Sequence, residues 1–137
     1  MTLKNLLNSQ DIFAAEAGAQ VVEVSDGYAC AIMTVSEHHL NAGGVCQGGA
    51  LFTLADLALA AVMNCHGQLT FSIESNITFT RSAVCGDSLK AEAKEVFSHH
   101  RIPSFEVRIT NQHGELVCIL TAMAYRKDKT LPFSGLM

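Results

Sequence analysis

The chain has 137 residues, a length that fits one domain with a single buried core. Its formal net charge is −4, and its nine Lys and Arg residues do not cluster, which argues against a nucleic-acid-binding protein. Charged residues make up 16% of the chain and apolar residues 49%, so we expect an unusually apolar surface and therefore a homo-oligomer.

The cysteines and the N-terminal segment indicate where the protein resides. Five cysteines form no C-x-x-C pair and stand among apolar or small neighbours, which predicts buried free thiols in a reducing compartment. Polar residues such as Asn5 and Asn8 interrupt the first 16 residues, which therefore do not resemble a signal peptide. The longest apolar segment, residues 50–62, is too short to span a bilayer. These features predict a cytoplasmic protein with no membrane contact.

The first third of the chain reads as a helix followed by a hairpin. Apolar residues recur at helical spacing over residues 3–13, which predicts a short amphipathic N-terminal helix that ends by Gly18. Two β-rich runs, residues 21–25 and 28–35, flank the dipeptide Asp26-Gly27. An Asp-Gly pair between such runs is a strong hairpin signal, so we expect two antiparallel strands.

A glycine-rich loop and a long apolar helix follow the hairpin. Residues 38–49 contain four glycines, which predicts an ordered loop. Residues 50–65 contain no Gly or Pro, and their only polar side chains are those of Thr53, Asp56 and Asn64. The segment therefore predicts a helix that is apolar nearly all round, and such a helix must be enclosed on most of its sides.

After the helix the apolar period changes from 3.6 to two, which predicts four long antiparallel strands. Apolar residues at 69–79 are expected on one face of the first strand, and the alternation at 89–94 and 104–110 predicts one buried face each. Residues 116–125 have apolar side chains at both odd and even positions, and therefore on both faces, which predicts a central strand covered on both sides. The order of elements predicts an α+β fold in which a curled antiparallel sheet of about six strands wraps one long central helix, in a single domain spanning residues 1–137.

Asp56 is the residue that an apolar helix does not explain. An ionised carboxylate there costs several kcal/mol of desolvation unless partners or water reach it, so it either pairs structurally or serves chemistry. Gly48 and Gly49 precede the helix, where free N–H groups favour an oxyanion, although glycines required by a tight turn would look the same. Asp56 lies about 12 Å along the helix from Gly48, too far for both to act on one carbonyl unless a second chain contributes.

Several short motifs occur together at the spacings of one enzyme family. They resemble the signature N-x5-H-G-G-x-x-F-x-L-A-D of PaaI-type hotdog-fold thioesterases, and the resemblance extends over roughly residues 19–126. Gln47 stands where the family usually has His. The matching positions are Asn41, Gln47-Gly48-Gly49, Phe52, Leu54-Ala55-Asp56, Asn76-Ile77-Thr78-Phe79 and Gly86 to Ala91.

The resemblance implies a hotdog fold and a homo-oligomer, either a dimer or a dimer of dimers, whose active sites draw on two chains. It implies that Asp56 attacks a thioester carbonyl or activates water, that the Gly48 N–H of the other chain polarises this carbonyl, and that Asn41 orients water or substrate. Gln47 can orient a ligand but cannot take up a proton near neutral pH. Ser72 falls where some relatives place a hydroxyl that assists the water, and an ordinary strand residue would look the same.

The coenzyme A portion of such a substrate needs cationic and polar contacts. The resemblance points to the Arg81-Ser82 segment, the turn that contains His99 and Arg101, and Arg126, although solvated strand ends would show similar residues. Gly49 allows close approach of the substrate. The six histidines show no H-x3-H or H-E-x-x-H spacing, so neither a metal site nor a cofactor other than the coenzyme A of the substrate is expected.

Three functions are compatible with these residues. The first is hydrolysis of acyl-CoA thioesters to a free acid and coenzyme A, by covalent attack of Asp56 or by general-base activation of water. The second is a non-catalytic hotdog module that binds acyl-CoA or aryl ligands, which the missing His favours. The third is a hotdog dehydratase, which Gln47 disfavours because those enzymes pair a His with an acidic residue.

Overall fold

The computed structural model describes residues 1–137 and consists of one long helix, two short helices and six strands. A single 3-10 turn at Glu37–His39 follows the second strand. The helices are α1 (Leu3–Gln10), α2 (Ile12–Ala17) and α3 (Gly48–Met63), and the strands are β1 (Gln20–Ser25), β2 (Tyr28–Thr34), β3 (Gln68–Phe79), β4 (Ser88–Phe97), β5 (Ser104–Thr110) and β6 (Leu116–Thr130).

The six strands form one sheet in the order β1-β2-β4-β5-β6-β3, and every neighbouring pair is antiparallel. The hairpin of β1 and β2 turns at Asp26-Gly27, as predicted, with Gly27 in the left-handed region at a φ of 73°. β1 and β3 are the two edges of the sheet. The predicted α+β arrangement of six strands around one central helix is confirmed.

α3 lies against the concave face of the sheet, in contact with β1, β2, β4 and β5. It begins at Gly48, two residues before the predicted start, because Gln47 takes extended backbone angles (φ −64°, ψ 142°) and acts as the N-cap. Its least buried positions include Gly49, Thr53, Asp56 and Ala60, which are three to four residues apart and therefore form one stripe along the helix. No helix of the chain is long and apolar enough to cross a membrane.

The core is built from the concave face of the sheet and the enclosed sides of α3. The predicted alternation along β4 and β5 is confirmed, since each strand buries every second residue. Four of the five cysteines are buried and all five are free, and Cys85 is the exposed one. The buried residues of β4 and β5 are Leu89, Ala91, Ala93, Phe105, Val107 and Ile109, and those of α3 are Leu51, Leu54, Ala55, Leu57, Ala58, Leu59, Ala61, Val62 and Met63.

The single apolar face predicted for β3 is wrong. The pairing of β3 with β6 shifts between Ser72 and Glu74, and a shift of one residue turns the following side chains to the opposite face of the sheet. As a result Phe71, before the shift, is exposed on the convex face beside Tyr125, whereas Ile77, after it, packs against the core. Alternation in the sequence does not reveal a bulge, because the bulge depends on which strand is paired.

β6 is internal to the sheet, as predicted, because it pairs with both β5 and β3. The prediction that both of its faces are covered is wrong for the single chain. Leu120 and Ala124 are buried on the concave side, while Met123 and Tyr125 are exposed on the convex side. The ring of Tyr125 lies 6.2 Å from that of Phe71, between centroids, so the convex face carries a continuous apolar surface here.

The N-terminal segment forms two helices in place of the single one predicted. The Asp11 side chain accepts a hydrogen bond from the first turn of α2 and thereby begins a new helix. Gly18 ends α2 in the left-handed conformation at a φ of 85°. Leu3 is buried against the core, but Ile12 is 61% and Phe13 74% exposed, so the amphipathic face predicted for residues 3–13 is confined to α1.

The C-terminal tail packs against its own N-terminus. The backbone N–H groups of Leu3 and Lys4 donate to the carbonyls of Gly135 and Leu136, each at 3.0 Å. These bonds satisfy two of the amides that the first turn of α1 leaves free. The two ends of the chain are therefore held together beside the edge strand β1.

Truncation of a leucine in α3 tests how much the enclosed helix contributes to stability. Leu54 is fully buried, so Leu54→Ala should lower the free energy of unfolding by about 2–5 kcal/mol through lost burial and a residual cavity. The control Ile12→Ala, at an exposed position, should change it by less than about 0.5 kcal/mol. Urea denaturation followed by circular dichroism measures both, and equal effects would contradict an enclosed α3.

Candidate active site

The first turn of α3 presents free backbone amides. The N–H groups of Gly48 and Gly49 donate to no acceptor in the chain, because helical amides find their partners four residues earlier and here the preceding loop turns away. The Gln47 N–H, in contrast, donates to the carbonyl of His39 at 2.7 Å. The positive end of the α3 dipole adds to the two free donors, so this point favours an anion or a polarised carbonyl oxygen.

Close packing, and not backbone conformation, explains the two glycines. Neither Gly48 nor Gly49 has a positive φ, so the tight-turn explanation does not apply. A Cβ atom on Gly48 would lie 2.8 Å from Cζ of Phe79, and one on Gly49 would lie 3.0 Å from Oε1 of Gln47. The absence of a side chain allows the Phe79 ring and the Gln47 amide to lie directly against the start of the helix.

A cavity of about 450 Å³ opens beside this helix start. Its lining brings together four of the predicted site residues, namely Asn41, Gly48, Arg81 and Ser82, and the ring of Phe79 forms one wall. The Arg81 guanidinium is half exposed and lies 3.1 Å from a carboxylate oxygen of Glu115, at the surface. A cation, a hydroxyl and a free amide therefore line one opening.

Asn41 shapes the loop on the other side of this cavity. Its Oδ1 accepts hydrogen bonds from the backbone N–H of Gly43 at 2.9 Å and of Val45 at 3.3 Å. These bonds hold the loop before α3 in a compact turn. The Nδ2 group of Asn41 donates to no acceptor within the chain, so it is available to a ligand.

Asp56 lies on a different side of α3, in a second cavity of about 430 Å³ that Asp11, Phe13, Phe52 and Thr53 also line. Its carboxylate forms no ion pair and accepts no hydrogen bond from the chain. A loop cap or a pairing with a buried Arg, the structural alternatives for this residue, is therefore absent. Partial burial raises the pKa of Asp56 above its usual value, and the negative charge of Asp11 raises it further.

A third cavity, of about 420 Å³, adjoins the second. Gln47 and His39 line it, and it shares Phe13, Gly49 and Thr53 with the cavity of Asp56. Gly49 thus lies between the position of Gln47 and that of the carboxylate. All three cavities surround the first half of α3, and the predicted catalytic groups other than Ser72 line them.

One chain does not bring Asp56 to the Gly48 amide. The two residues open into separate cavities, and eight helical positions separate them by about 12 Å. Ser72 is a half-buried residue of β3 that pairs with Ala124 next to the bulge, and it lines none of these three cavities. The arrangement in a single chain is therefore two half-sites, one with donors and one with an acid.

The remaining predicted contacts lie at the other end of the molecule, and most of their polar groups are bonded within the chain. Arg101 forms a two-pronged ion pair with Asp128, at 3.0 and 2.7 Å. The Arg126 side chain is only 8% exposed, donates to the carbonyl of His99 at 3.1 Å and lies 3.6 Å from Glu95. Its guanidinium therefore does not face the solvent, where a phosphate would bind.

The contribution of α2 to this cavity was not predicted from the sequence. The helical spacing places Phe13 on the apolar face of one helix and gives Asp11 no role, but the start of a second helix at Asp11 directs both residues to the cavity of Asp56. The available signal was the capping potential of Asp11, which occurs inside an otherwise continuous helical pattern. Thr53, also missed, donates from Oγ1 to the Gly49 carbonyl at 2.8 Å.

Comparisons with known proteins identify the family of the chain. Residues 43–118 match the family described as the thioesterase superfamily. A candidate esterase of Archaeoglobus fulgidus is 35% identical over 130 residues, which cover 95% of this chain and 84% of that protein. The acyl-coenzyme A thioesterase PaaI of Escherichia coli is 30% identical over 121 residues, covering 88% of this chain and 86% of PaaI.

Solved structures give the same result. The structure of Escherichia coli PaaI superposes with a TM-score of 0.84 at 27% identity, covering 96% of this chain and 100% of PaaI. The protein smu.793 of Streptococcus mutans, solved bound to acetyl-CoA, superposes with a TM-score of 0.79 at 25% identity and covers 82% of this chain and 91% of that protein.

The fold and the match define a hotdog-fold enzyme that hydrolyses thioesters. The chain belongs to the thioesterase superfamily and is homologous to PaaI. The hotdog fold that the sequence motifs implied is confirmed.

Replacement of Asp11 tests the electrostatic environment of Asp56. Asp11→Asn removes the charge but keeps an oxygen that can cap α2, since Asn is as good an N-cap as Asp. The pKa of Asp56 should fall, because the neighbouring negative charge is the second cause of its elevation. Carboxyl carbon NMR titration of both proteins measures the shift. An unchanged or higher midpoint for Asp56 would contradict the arrangement.

Proposed function

We propose that the chain hydrolyses acyl-CoA thioesters as a homodimer, with Asp56 of one subunit and the Gly48 amide of its partner acting on the same carbonyl. The observation that carries this proposal is that one chain holds the two groups in separate half-sites, the acid in one and the amide donors in the other. Asp56 has an accessible, unpartnered carboxylate, and the start of α3 has unpartnered donors, but the two lie in separate cavities of one chain. In a dimer, Asp56 of one chain would complete the half-site formed by the amide donors of the other.

The substrate class rests on the relatives and on the lining of the Gly48 cavity. PaaI of Escherichia coli is an acyl-coenzyme A thioesterase, and the Streptococcus mutans structure holds acetyl-CoA. Arg81 and Ser82 lie beside Gly48, where a cation and a hydroxyl suit the phosphates of coenzyme A. A thioester carbonyl placed at the helix start would therefore lie next to groups able to hold the nucleotide portion.

The chemistry follows from the charge that develops during the reaction. As the carbonyl carbon is attacked, its oxygen gains negative charge and accepts a hydrogen bond from the Gly48 N–H, which the helix dipole reinforces. Asp56 either attacks the carbon itself or takes a proton from the attacking water. The C–S bond then breaks, and the thiolate of coenzyme A leaves and is protonated. In the first route the acyl group remains on Asp56 as an anhydride, which water then hydrolyses to the free acid and the regenerated carboxylate. A raised pKa makes Asp56 a stronger base, which suits the second route.

Gln47 and Asn41 complete the site without proton transfer. The Gln47 side chain lies over Gly49 and forms no cap bond with the helix, so its amide can orient a substrate oxygen or water. The nearby His39 is not a free base, since its Nε2 contacts the carbonyl of Ala17 at 2.6 Å and its Nδ1 accepts from the Ser36 N–H at 2.9 Å. His39 therefore does not take the place of the family His, and Gln47 cannot exchange a proton itself, which argues against a dehydratase.

The free edge of the sheet supports a dimer. β3 is a twelve-residue edge strand with one unpaired side, and long free edges are normally covered in native proteins. Pairing through β3 would place the stripe of α3 that carries Asp56 beside a second α3. The exposed apolar residues of the convex face, Phe71, Met123 and Tyr125, offer a further contact for a dimer of dimers.

A non-catalytic acyl-CoA-binding module is the second candidate, because Gln47 replaces the family His. A panel of aromatic, short-chain and longer acyl-CoA thioesters separates the two functions. Release of free thiol from any member supports hydrolysis. Thermal stabilisation by the thioesters without any thiol release supports the binding module.

Replacement of the acid tests the proposed reaction. Asp56→Asn should lower kcat/KM for the best thioester of the panel by about 10²–10⁴-fold, because the amide can neither attack nor accept a proton. Free coenzyme A released over time is the measurement. Asp11→Asn is the matched control, since it removes a carboxylate from the same cavity and should retain most of the turnover. Unchanged turnover in Asp56→Asn would refute the catalytic assignment.

A pair of variants isolates the Gly48 amide. Proline is favoured at the first helical position, and Gln47 already has the extended backbone that precedes proline, so Gly48→Pro removes the N–H and keeps the helix. Because any Cβ here meets Phe79, both Gly48→Pro and the control Gly48→Ala are made with Phe79→Ala. We expect kcat/KM to be about 10²–10³-fold lower with proline than with alanine.

Co-expression of two inactive chains extends this test to the shared site. In a symmetric dimer, a chain with Asp56→Asn and a chain with Gly48→Pro and Phe79→Ala form one intact acid–amide pair per heterodimer. The Gly48 of this pair keeps its own Phe79, so random pairing should restore up to about a quarter of the turnover of the unmodified enzyme. Each inactive chain expressed alone is the control. Heterodimers isolated without recovered turnover would show that one chain supplies both groups.

A further inference from the structure

A second cluster of reactive side chains lies at the C-terminal end of α3, the end opposite to Gly48. Asp26, Cys65 and His66 place one potential metal-binding atom each within 4.8 Å of the others. Cys65 and His66 follow the last turn of α3, and Asp26 lies in the turn between β1 and β2. None of the three lines the cavities of the candidate active site.

Backbone contacts hold the hairpin turn against the end of the helix. The Gly27 N–H points to Sγ of Cys65 at 3.5 Å, and the Gly27 carbonyl accepts a hydrogen bond from the Glu95 N–H at 3.0 Å. Cys65 is buried, whereas the Asp26 side chain is 88% exposed and free to adjust. The donor atoms therefore converge from two segments that the fold itself brings together.

Glu95 determines which nitrogen of His66 is free. Oε1 of Glu95 lies 3.3 Å from Nε2 of His66, and Oε2 lies 3.6 Å from Nη2 of the buried Arg126. A carboxylate oxygen accepts hydrogen bonds, so the contact with Oε1 places the donated N–H on Nε2 of His66. In the neutral ring Nδ1 is then a bare lone pair, and it faces Oδ1 of Asp26 at 3.4 Å.

Two acceptor atoms that face each other at this distance need a cation between them. A proton on Nδ1 would serve, and so would a metal ion. The third group, the sulfur of Cys65, distinguishes the two, because a proton shared by His66 and Asp26 has no use for it, whereas thiolate, imidazole and carboxylate together are a zinc ligand set. The negative end of the α3 dipole also favours a cation here.

We propose that Asp26, Cys65 and His66 bind one zinc-class divalent ion, with Nδ1 of His66 as the ligand and Glu95 as the carboxylate that orients the ring. The sulfur–metal bond forms as the thiol proton of Cys65 is released to the solvent, and water completes the coordination. Glu95 acts through His66, as carboxylates commonly do behind metal-bound histidines. The ion would fasten the β1–β2 turn to the end of α3. The histidine spacing predicted no metal site. Such spacing detects only ligands that are close in sequence, and Asp26 is far from Cys65 and His66 along the chain.

Cobalt titration of the full-length protein, free of any histidine tag and of prior metal, tests the site. Co²⁺ should bind with one ion per chain and produce a thiolate-to-cobalt charge-transfer band together with the intense visible bands of a tetrahedral ion. Zn²⁺ should displace it and raise Tm, and EDTA should reverse both effects. Thioester hydrolysis is not used as a readout, so failure here leaves the proposed function unaffected.

Three variants identify the ligands. Cys65→Ser should abolish the charge-transfer band, and Cys85→Ser, at the exposed cysteine, should retain it. Asp26→Asn changes only an exposed turn residue and should weaken Zn²⁺ binding by at least tenfold without unfolding the protein. Absence of the band in the unmodified chain, its survival in Cys65→Ser, or unchanged affinity in Asp26→Asn would overturn the proposal. Weak binding of several ions without the band would indicate an adventitious ion only.

Discussion

The enclosure of α3 by the curled sheet is the constraint on which the rest of the structure depends. Alanines at 55, 58 and 61 are completely buried, and their small side chains allow the strands to approach the helix closely. Only one stripe of the helix remains outside this enclosure, and Asp56 lies on it. The same packing that stabilises the core thus directs a single carboxylate toward the surface where a second helix can be placed. The positions of the free amides at Gly48 and Gly49 follow from the point where this helix begins.

The sequence was sufficient for the elements whose signal is local. An apolar helix without a charged face, strict alternation in β4 and β5, and an Asp-Gly turn each depend on residues a few positions apart, and all three agree with the structure. The errors in β3 and β6 concern features that depend on pairing between distant segments, whereas the error at the N-terminus comes from a local cap at Asp11 inside a continuous helical pattern. The β3 bulge exists because of its register with β6, and the exposed convex face of β6 is open because a single chain has nothing to cover it.

The candidate site also separates into features with a local sequence signal and features that depend on contacts between distant segments. The motif around Asn41, Gly48 and Asp56 selected residues that line the two candidate cavities, because the spacing along one helix and its preceding loop is a local property. Arg126, in contrast, is drawn into the interior by Glu95, a residue of a strand that does not neighbour its own, so its burial could not be read from the sequence. Packing against Phe79 likewise explains why Gly48 must be glycine, and that contact joins segments thirty-one positions apart.

In the proposed dimer, association of two chains would change the energetics of the acid as well as its neighbours. Asp56 is already partly desolvated in one chain, and a second helix placed over its stripe would remove more water and raise its pKa further. Donors that reach the carboxylate or its attacking water oppose this cost, and the free N–H groups at the start of α3 and the unused amide of Asn41 are the donors each chain has available. The cost of burying the acid and the cost of leaving those donors unpaired therefore diminish together. In the proposed dimer, assembly and catalysis would share one cause, because the arrangement that satisfies the unpaired groups would also place Asp56 opposite the Gly48 amide.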